Sequence, residues 1–403
     1  MHPKVFATIP VLDEFDNLPG LISDLDKQTY TGWEAIFCVN QPDDWWKNEL
    51  RAGVCRQNQQ SLKWLMNLRH PQIHCIDKSS PGNGWEGKRH GVGWARKTTM
   101  DFAASLAEDE DLIVSMDADT RYPPGFFASL LKAKEDHPEA RGISVPYYHR
   151  LTGDEVTDRC VLRYELYMRN YALNMLLIDN PYAFSAIGSG MACQAKDYRQ
   201  VGGLTPKMSG EDFYFMLKLR KAGHIIVDTA ETIYPAARFS DRVYFGTGPA
   251  MIKGRSGDWD SYPVYAADAF AEVKKTFEAF SSLYLTDVKT PMDPWLSSSG
   301  KDEPVWQPLR TNAASAASFQ KACMQKADAL RILQFLKAEN GKYPGTDEER
   351  LTTFLTGLDN ENELDNRLFS NLSFEYSPVE QLDNLRNFMA RCERSLQARK
   401  GIV

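Results

Sequence analysis

Several features that would assign this 403-residue chain to a specialised class are missing from its sequence. Its seven cysteines are scattered and form no C-x-x-C pair, which fits a reducing compartment and gives no zinc-site signal. No run of about 18 apolar residues occurs, and the N-terminus lacks the charged flank and apolar stretch of a signal peptide. We therefore expect a cytoplasmic protein without a transmembrane segment, with room for peripheral membrane contact.

The chain also has no excess of basic residues. Asp and Glu number 54 against 47 Lys and Arg, giving a formal net charge of −7. A dedicated nucleic-acid binder needs a basic surface to meet phosphates, so no nucleic-acid partner is expected. A local basic pocket for an anionic ligand stays compatible with this balance.

The first 250 residues alternate between short apolar runs and helical patterns. Strand patterns occur at 4–12, 33–40, 73–77, 111–117 and 141–148. Helical patterns occur at 18–28, 45–68, 93–108, 158–178 and 211–222. This alternation predicts an α/β domain with a mostly parallel sheet flanked by helices.

Later parts of the chain follow a different pattern. Residues 246–303 are rich in Gly, Pro, Ser and Asp and are expected to form loops, whereas helical patterns dominate from about 305. The start of one of these helices is indicated by a capping box, with Thr346 and Glu349 at the required spacing. We predict an α/β domain over 1–255, a loop-rich connector over 256–304 and an all-helical domain over 305–403.

Two aspartates follow the apolar run of "DLIVSMDADT". Side chains alternate along a strand, so Asp117 and Asp119 can project the same way. Ligands bind beyond the carboxyl ends of parallel strands, where this pair lies. Two carboxylates at such a short distance from each other are suitable ligands for Mg²⁺ or Mn²⁺. These cations also bind diphosphate oxygens. The plain alternative is a solvated acidic turn.

A glycine-rich basic loop precedes the helix at 93–108. "GNGWEG" (82–87) matches the dinucleotide fingerprint G-x-G-x-x-G, but that fingerprint needs a helix to start inside the motif, and here the helix starts near 93. Lys88, Gly93 and Arg96 are instead candidates for contact with a diphosphate, because glycine allows close backbone approach and the cations suit the charge. A solvated basic face is the alternative.

A Glu-Asp pair opens the helix at 211–222. In the simplest interpretation, Glu211 and Asp212 are only favourable charges at a helix N-terminus, with Ser209 as its cap. A carboxylate within hydrogen-bond reach of a hydroxyl can also act as a general base. Upstream, the glycines of "GSGMA" (188–192) permit either a tight turn or close approach of a ligand.

Taken in order, these motifs resemble the family 2 glycosyltransferases, which have the GT-A fold, a Rossmann-like sheet, and use nucleotide-diphosphate sugars. The resemblance runs from about residue 4 to 250. It implies that Asp117 and Asp119 bind Mg²⁺ or Mn²⁺ and the donor diphosphate, with Asp212 as catalytic base and Glu211 as a substrate contact or second candidate. A UDP-type or GDP-type donor is implied.

The remaining donor-site candidates also follow from the resemblance. They are Pro10, Glu14, Asn40 and Gly190. Separately, Arg238, Asp241 and Arg242 are candidate pocket residues, with a surface ion pair as the alternative. The sequence departs from the family at Asp13, where Asn is usual, and at "NQPDDWW", which replaces an acidic cluster after the second strand. A Gln-x-x-Arg-Trp motif is absent, so a processive polymerase is not expected.

The leading hypothesis is an inverting, metal-dependent enzyme that moves one sugar to an unknown acceptor, such as a glycan or a lipid-linked hydroxyl. A sugar-phosphate nucleotidyltransferase is the alternative enzyme class, since it can share a basic glycine-rich loop and a D-x-D pair. A non-catalytic nucleotide-sugar-binding protein is the third alternative.

Overall fold

The computed structural model describes residues 3–240, 246–297, 304–359 and 371–403. Its strands are β1 (Val5–Val11), β2 (Trp33–Asn40), β3 (Ile73–Lys78), β4 (Leu112–Ser115), β5 (Gly142–Ser144), β6 (Met191–Gln194) and β7 (Ile225–Ile226). Its first helices are α1 (Leu18–Asp26), α2 (Ala52–Asn67), α3 (Val92–Leu106), α4 (Phe126–Asp136), α5 (Glu155–Leu177), α6 (Ala195–Gln200), α7 (Glu211–Ala222) and α8 (Thr247–Arg255). The later helices are α9 (Ala267–Glu278), α10 (Asp293–Leu296), α11 (Gln307–Thr311), α12 (Ala316–Lys326), α13 (Ala329–Glu339), α14 (Asp347–Leu358) and α15 (Val379–Lys400).

The seven strands form one mixed sheet in the order β3-β2-β1-β4-β6-β5-β7. Strand β6 runs antiparallel to β4 and β5, and the other neighbouring pairs are parallel. The predicted mostly parallel α/β sheet is confirmed, and β6, which the sequence pattern did not reveal, adds the antiparallel element.

The central strands are apolar because helices leave them no solvent-facing side. All four residues of β4 are buried, and β1 is buried along nearly its whole length. Strands buried on both faces read as continuous hydrophobic runs. The register pairs Thr8 of β1 with Ser115 of β4. This pairing places the residues that follow β1 and β4 at the same edge of the sheet.

Contacts divide the chain into two compact units. The first comprises Met1–Val161, Phe184–Asp258 and Gln397–Ile402 and contains the sheet. The last residues of the chain pair with it, since the Val227 amide donates to the Gly401 carbonyl at 3.0 Å. The domain boundaries drawn from the sequence, at 255 and 304, stay a prediction.

The second unit comprises Leu162–Ala183, Trp259–Leu396 and Val403. Its core includes Leu166, Leu351 and Leu385, all fully buried. Buried ion pairs add to it: Arg169 bonds Glu165 and Glu393 at 2.6 Å each. Past residue 304 the described residues form helices and no strand within a named sheet, so the predicted C-terminal helical region is confirmed.

The expectation of loops over 246–303 is wrong where α8, α9 and α10 form. Helix α9 buries Ala269, Phe270, Val273 and Thr276 on one face. These positions have helical spacing, but the glycines and prolines around them dominate the local composition. Burial of that face decides the local structure despite the composition around it.

No helix in the described part of the chain is long and apolar enough to cross a membrane. The cytoplasmic location stays a prediction.

Candidate active site

The D-x-D pair lies in a turn just beyond the end of β4. The backbone amide of Asp117 donates to the Tyr122 hydroxyl at 3.0 Å, and that hydroxyl donates to the Ser189 carbonyl at 3.0 Å. Tyr122 is buried, as is Ser189. The turn that carries both aspartates is therefore fastened to the segment leading into β6.

Arg96, on the first turns of α3, connects Asp117 to the Glu-Asp pair. Its guanidinium donates to Asp117 from Nη2 at 2.9 Å and to Glu211 from Nε at 3.1 Å. Its Nη1 donates to the Gly188 carbonyl at 2.8 Å and also bonds the Ser115 hydroxyl. The side chain is 3% exposed, and the two carboxylates raise its pKa despite burial. A buried charge with this many partners is held in one position.

Arg238 holds a second pair of carboxylates. Its Nη2 lies 2.5 Å from Oδ2 of Asp119 and also bonds Glu14, while its Nη1 lies 3.3 Å from Oε2 of Glu14. Asn17 donates to the same Glu14 oxygen at 2.5 Å. Glu14 follows β1 and Asp119 follows β4, so the shared sheet edge brings them together. The two aspartates of D-x-D thus pair with two different arginines.

Burial disfavours the charged forms of the carboxylates in this cluster. It raises the pKa of Glu14 to about 7 and that of Asp119 to about 7, although Arg238 opposes both shifts. The charge of Asp117 adds to the increase in each case. A further cation beside these carboxylates would be stabilised.

Helix α7 begins with the predicted Glu-Asp pair, but its cap differs from the expected one. The cap position is Gly210, at φ 75°, and not Ser209. Glycine adopts this left-handed conformation without steric cost, which lets the chain turn sharply into the helix. Glu211 is buried at 4% exposure, whereas Asp212 is half-buried.

The two acids of this pair have different surroundings. Glu211 is ion-paired with Arg96. Asp212 accepts a hydrogen bond from the Phe213 amide at 2.7 Å, and no ion pair joins it to any other described residue. Burial, followed by the neighbouring Glu211 charge, raises the pKa of Asp212 to about 7, against the opposing effect of Arg96. A carboxylate with a pKa near neutrality is suited to accept a proton.

Gly188 is the glycine of "GSGMA" that faces these charges. A Cβ there would lie 2.6 Å from Nη2 of Arg96 and 3.5 Å from Oδ2 of Asp212. Gly190, the predicted donor contact, is buried, and a Cβ there would lie 2.6 Å from Cδ1 of Ile233. Gly188 therefore lies at the charged cluster, and Gly190 lies in apolar packing.

The candidate residues of the glycine-rich loop, Gly93 and Lys88, lie in different surroundings. A Cβ on Gly93 would lie 2.1 Å from the Lys207 carbonyl oxygen, so this glycine lets the loop before α7 pack against the start of α3. Lys88 is exposed, without a hydrogen bond or ion pair to the described residues. Helix α3 starts at Val92, beyond "GNGWEG", and Gly84 of that motif packs against the Asp43 backbone. A dinucleotide site of the fingerprint type does not form there.

Asn40 and Pro10 lie in the carboxyl-terminal parts of β2 and β1. Asn40 is buried; its amide donates to the Val11 carbonyl at 2.9 Å, and its oxygen accepts from the Trp85 indole at 3.2 Å. Pro10 is half-buried and lies opposite Cys38 of β2. Asp241 and Arg242 lie outside the described residues.

Sequence reasoning missed Ser115 and Tyr122, and of the two glycines in "GSGMA" it named Gly190 and not Gly188 as the donor contact. Ser115 and Tyr122 each contact a residue far along the chain, and neither stands out by type or spacing. A hydroxyl at the end of an otherwise apolar strand is the one signal that Ser115 offered.

The D-x-D pair offers carboxylate oxygens, the ligands that Mg²⁺ and Mn²⁺ prefer. No group of three or more His, Cys, Asp or Glu in the described residues is arranged as a protein-only metal cage. Mg²⁺ commonly binds one or two carboxylates together with substrate phosphates and water. Asp117 is 33% exposed, with Oδ1 bonded to Arg96, and Asp119 already attracts the Arg238 cation. Both carboxylates are hard oxygen donors of the required kind.

Residues 112–249 match the family described as glycosyl transferase family group 2. The matched span contains the D-x-D pair, Gly188, the Glu-Asp pair and Arg238. Over these residues the chain is similar to the family 2 glycosyltransferases. The resemblance and the enzyme class expected from the sequence are confirmed at this level.

Some solved structures are distantly similar to the chain. The S. aureus TarS fragment 1-349, in complex with UDP-GlcNAc, is 13% identical; the match covers 88% of this chain and 92% of that chain, with a TM-score of 0.41. The mannosyltransferase PcManGT from Pyrobaculum calidifontis, in complex with GDP-Man and Mn²⁺, is 14% identical over 98% of this chain and 88% of that chain, with a TM-score of 0.36. Both TM-scores lie below 0.5. No curated protein matches the chain significantly.

Proposed function

We propose that the chain acts as a family 2 glycosyltransferase and moves a single sugar from a UDP-type or GDP-type nucleotide-diphosphate sugar to an acceptor hydroxyl, with inversion of the anomeric centre. The observation that carries the proposal is the position of Arg96. One buried guanidinium bonds both Asp117, on the donor side, and Glu211, in the helix turn of the base. Donor and base therefore share one rigid support.

The donor diphosphate is assigned to the edge of the sheet beyond β4. Asp117 and Asp119 would hold Mg²⁺ or Mn²⁺ there, and the cation would stabilise the charge that develops on the leaving diphosphate. Glu14 and Arg238 lie beside Asp119. Lys88 is exposed and has no partner among the described residues, so it is available to the phosphates. Asn40 and Pro10 remain the candidates on the nucleoside side.

Asp212 is assigned as the catalytic base. Its raised pKa and its lack of a described ion pair suit proton transfer, whereas Glu211 is committed to Arg96. As the acceptor oxygen attacks the anomeric carbon, its proton passes to Asp212. The bond between that carbon and the diphosphate oxygen breaks, and its electron pair leaves with the nucleoside diphosphate. A single displacement of this kind inverts the centre.

Arg96 is assigned as a positioning residue and not as a direct diphosphate contact. Its donors already serve Asp117, Glu211, Ser115 and the Gly188 carbonyl. Precise placement of reacting groups lowers a barrier by removing the entropy of their alignment. A screen of glycans and lipid-linked hydroxyl compounds would identify the acceptor class.

The test is to incubate the protein with UDP-sugars and GDP-sugars, Mn²⁺ and an acceptor mixture, and to measure release of the nucleoside diphosphate. Release that needs both Asp212 and Mn²⁺ supports the proposal. Pyrophosphate release from a sugar phosphate and a nucleoside triphosphate would instead support a nucleotidyltransferase. Binding of a nucleotide sugar without turnover of any acceptor would support a binding protein.

A further inference from the structure

Two arginines pair with the D-x-D aspartates, and they differ in how firmly they are held. Arg96 is 3% exposed and bonds a serine hydroxyl and a backbone carbonyl in addition to its carboxylates. Arg238 is 32% exposed, and its partners among the described residues are the carboxylates of Glu14 and Asp119. Arg96 is therefore fixed by burial and by hydrogen bonds as well as by ion pairs, whereas the guanidinium of Arg238 is held by ion pairs.

Arg238 also contacts one of the two carboxylates that would hold a metal. Its Nη2 lies 2.5 Å from Oδ2 of Asp119. A guanidinium and a divalent cation repel each other and draw on the same carboxylate charge, so each weakens the binding of the other at this oxygen. When both carboxylates are ionised, the single guanidinium leaves one negative charge without a counter-charge, and a divalent cation would neutralise both carboxylates if Arg238 withdrew.

We propose that Arg238 is a displaceable counter-cation of the donor site. In the free protein it occupies Asp119 and Glu14 and so weakens the binding of metal alone. When the nucleotide diphosphate arrives with the metal, the guanidinium leaves Asp119 and pairs with the phosphate oxygens, for which its planar fork is suited. Metal and nucleotide then bind cooperatively. This inference rests on the proposed function, because it assumes a metal–diphosphate donor.

The test compares Mn²⁺ binding, followed by the electron paramagnetic resonance signal of free Mn²⁺, in the wild type and in Arg238→Gln without nucleotide. We expect Mn²⁺ affinity about tenfold tighter in the variant, because its competitor is gone. Nucleotide affinity should change in the opposite direction. Calorimetry with UDP and GDP in saturating Mn²⁺ should show about tenfold weaker nucleotide binding in the variant than in the wild type. Unchanged or weaker Mn²⁺ binding in Arg238→Gln overturns the inference.

Arg141→Gln is the matched control. Arg141 is 34% exposed and lies 2.6 Å from the buried carboxylate of Asp197, so it repeats the exposure and pairing of Arg238 away from D-x-D. It should change neither affinity. If Arg238→Gln does not fold, Arg238→Lys keeps a cation but loses the fork that reaches both carboxylates. We expect it to bind Mn²⁺ about threefold tighter than the wild type, and equal or weaker binding counts against the inference.

The outcomes separate this inference from the proposed function. If the wild type binds UDP or GDP with Mn²⁺ but Arg238→Gln leaves Mn²⁺ affinity unchanged, the counter-cation role is wrong and the donor site stands. If the wild type binds no nucleotide, the proposed function fails. If neither the wild type nor Arg238→Gln binds Mn²⁺, the counter-cation role is wrong.

Discussion

Nε of Arg96 lies 3.1 Å from Oε1 of Glu211, although 115 residues separate the two along the chain. The same guanidinium reaches Asp117 at 2.9 Å. Because both carboxylates depend on one buried cation, removal of that cation should affect the donor turn and the start of α7 together.

Arg96→Gln should lower the free energy of unfolding by roughly 3–5 kcal/mol, because it leaves the buried Glu211 carboxylate without its counter-charge. Chemical denaturation measures this loss. Lys97→Gln, the next residue on α3, is the control: Lys97 forms a partly exposed i,i+4 pair with Asp101, whose loss should cost about 0.5 kcal/mol or less. Equal stability of the two variants would show that Arg96 does not have the structural role described.

Asp212→Asn should abolish most transfer while leaving the donor site intact. Loss of a general base typically costs about 10²-fold to 10⁴-fold in rate. Nucleotide affinity should stay within about twofold of the wild type, because Asp212 has no described ion pair to the D-x-D turn. Glu211→Gln should instead lower stability, through Arg96. If Asp212→Asn retains full turnover, Asp212 is not the base.

The acidity of Asp212 also predicts the pH dependence of transfer. Since its pKa is raised to about 7, the proton-accepting form is lost as the pH falls below that value and is complete above it. At saturating donor, kcat/KM for the acceptor should fall about tenfold per pH unit below pH 7 and level off above it. A profile that is flat between about pH 5 and 8 would contradict the assignment.

Gly188→Ala should impair the site, because the new Cβ would lie 2.6 Å from Nη2 of Arg96. The guanidinium would have to shift away from Asp117, and we expect a loss of stability of about 1–3 kcal/mol together with reduced transfer. Gly53→Ala is the control. Gly53 lies in α2 with no neighbouring group within 4 Å of the position that a Cβ would occupy, so alanine there should be neutral or slightly stabilising. A fully active and stable Gly188→Ala would show that the close approach is not needed.

The sequence predicted the residue types of the site better than their partners. The D-x-D pair, Glu211, Asp212 and Arg96 were found because each belongs to a short local pattern. Which arginine pairs with which aspartate depends on sheet order and on segments as far apart as Glu14 and Arg238. No local periodicity encodes such a contact.

Glycine roles show the same limit. Both glycines of "GSGMA" fitted a ligand-facing role from the sequence, and the structure places Gly188 at the charges and Gly190 against Ile233. The difference depends on the strand β6 that begins at Met191, and a four-residue strand within a glycine-rich stretch gives little periodic signal. The helix α9 was missed for a related reason, since its neighbours are rich in glycine and proline.

The most direct test of the central claim is calorimetric titration of UDP and GDP, with and without Mn²⁺, into the wild type and Asp119→Asn. Asp101→Asn, which changes a partly exposed aspartate of α3, is the control. We expect Mn²⁺-dependent binding of one nucleotide by the wild type and by Asp101→Asn, and its loss in Asp119→Asn. Nucleotide binding that is equally strong in Asp119→Asn, or absent from the wild type under every condition, would contradict the donor site described above.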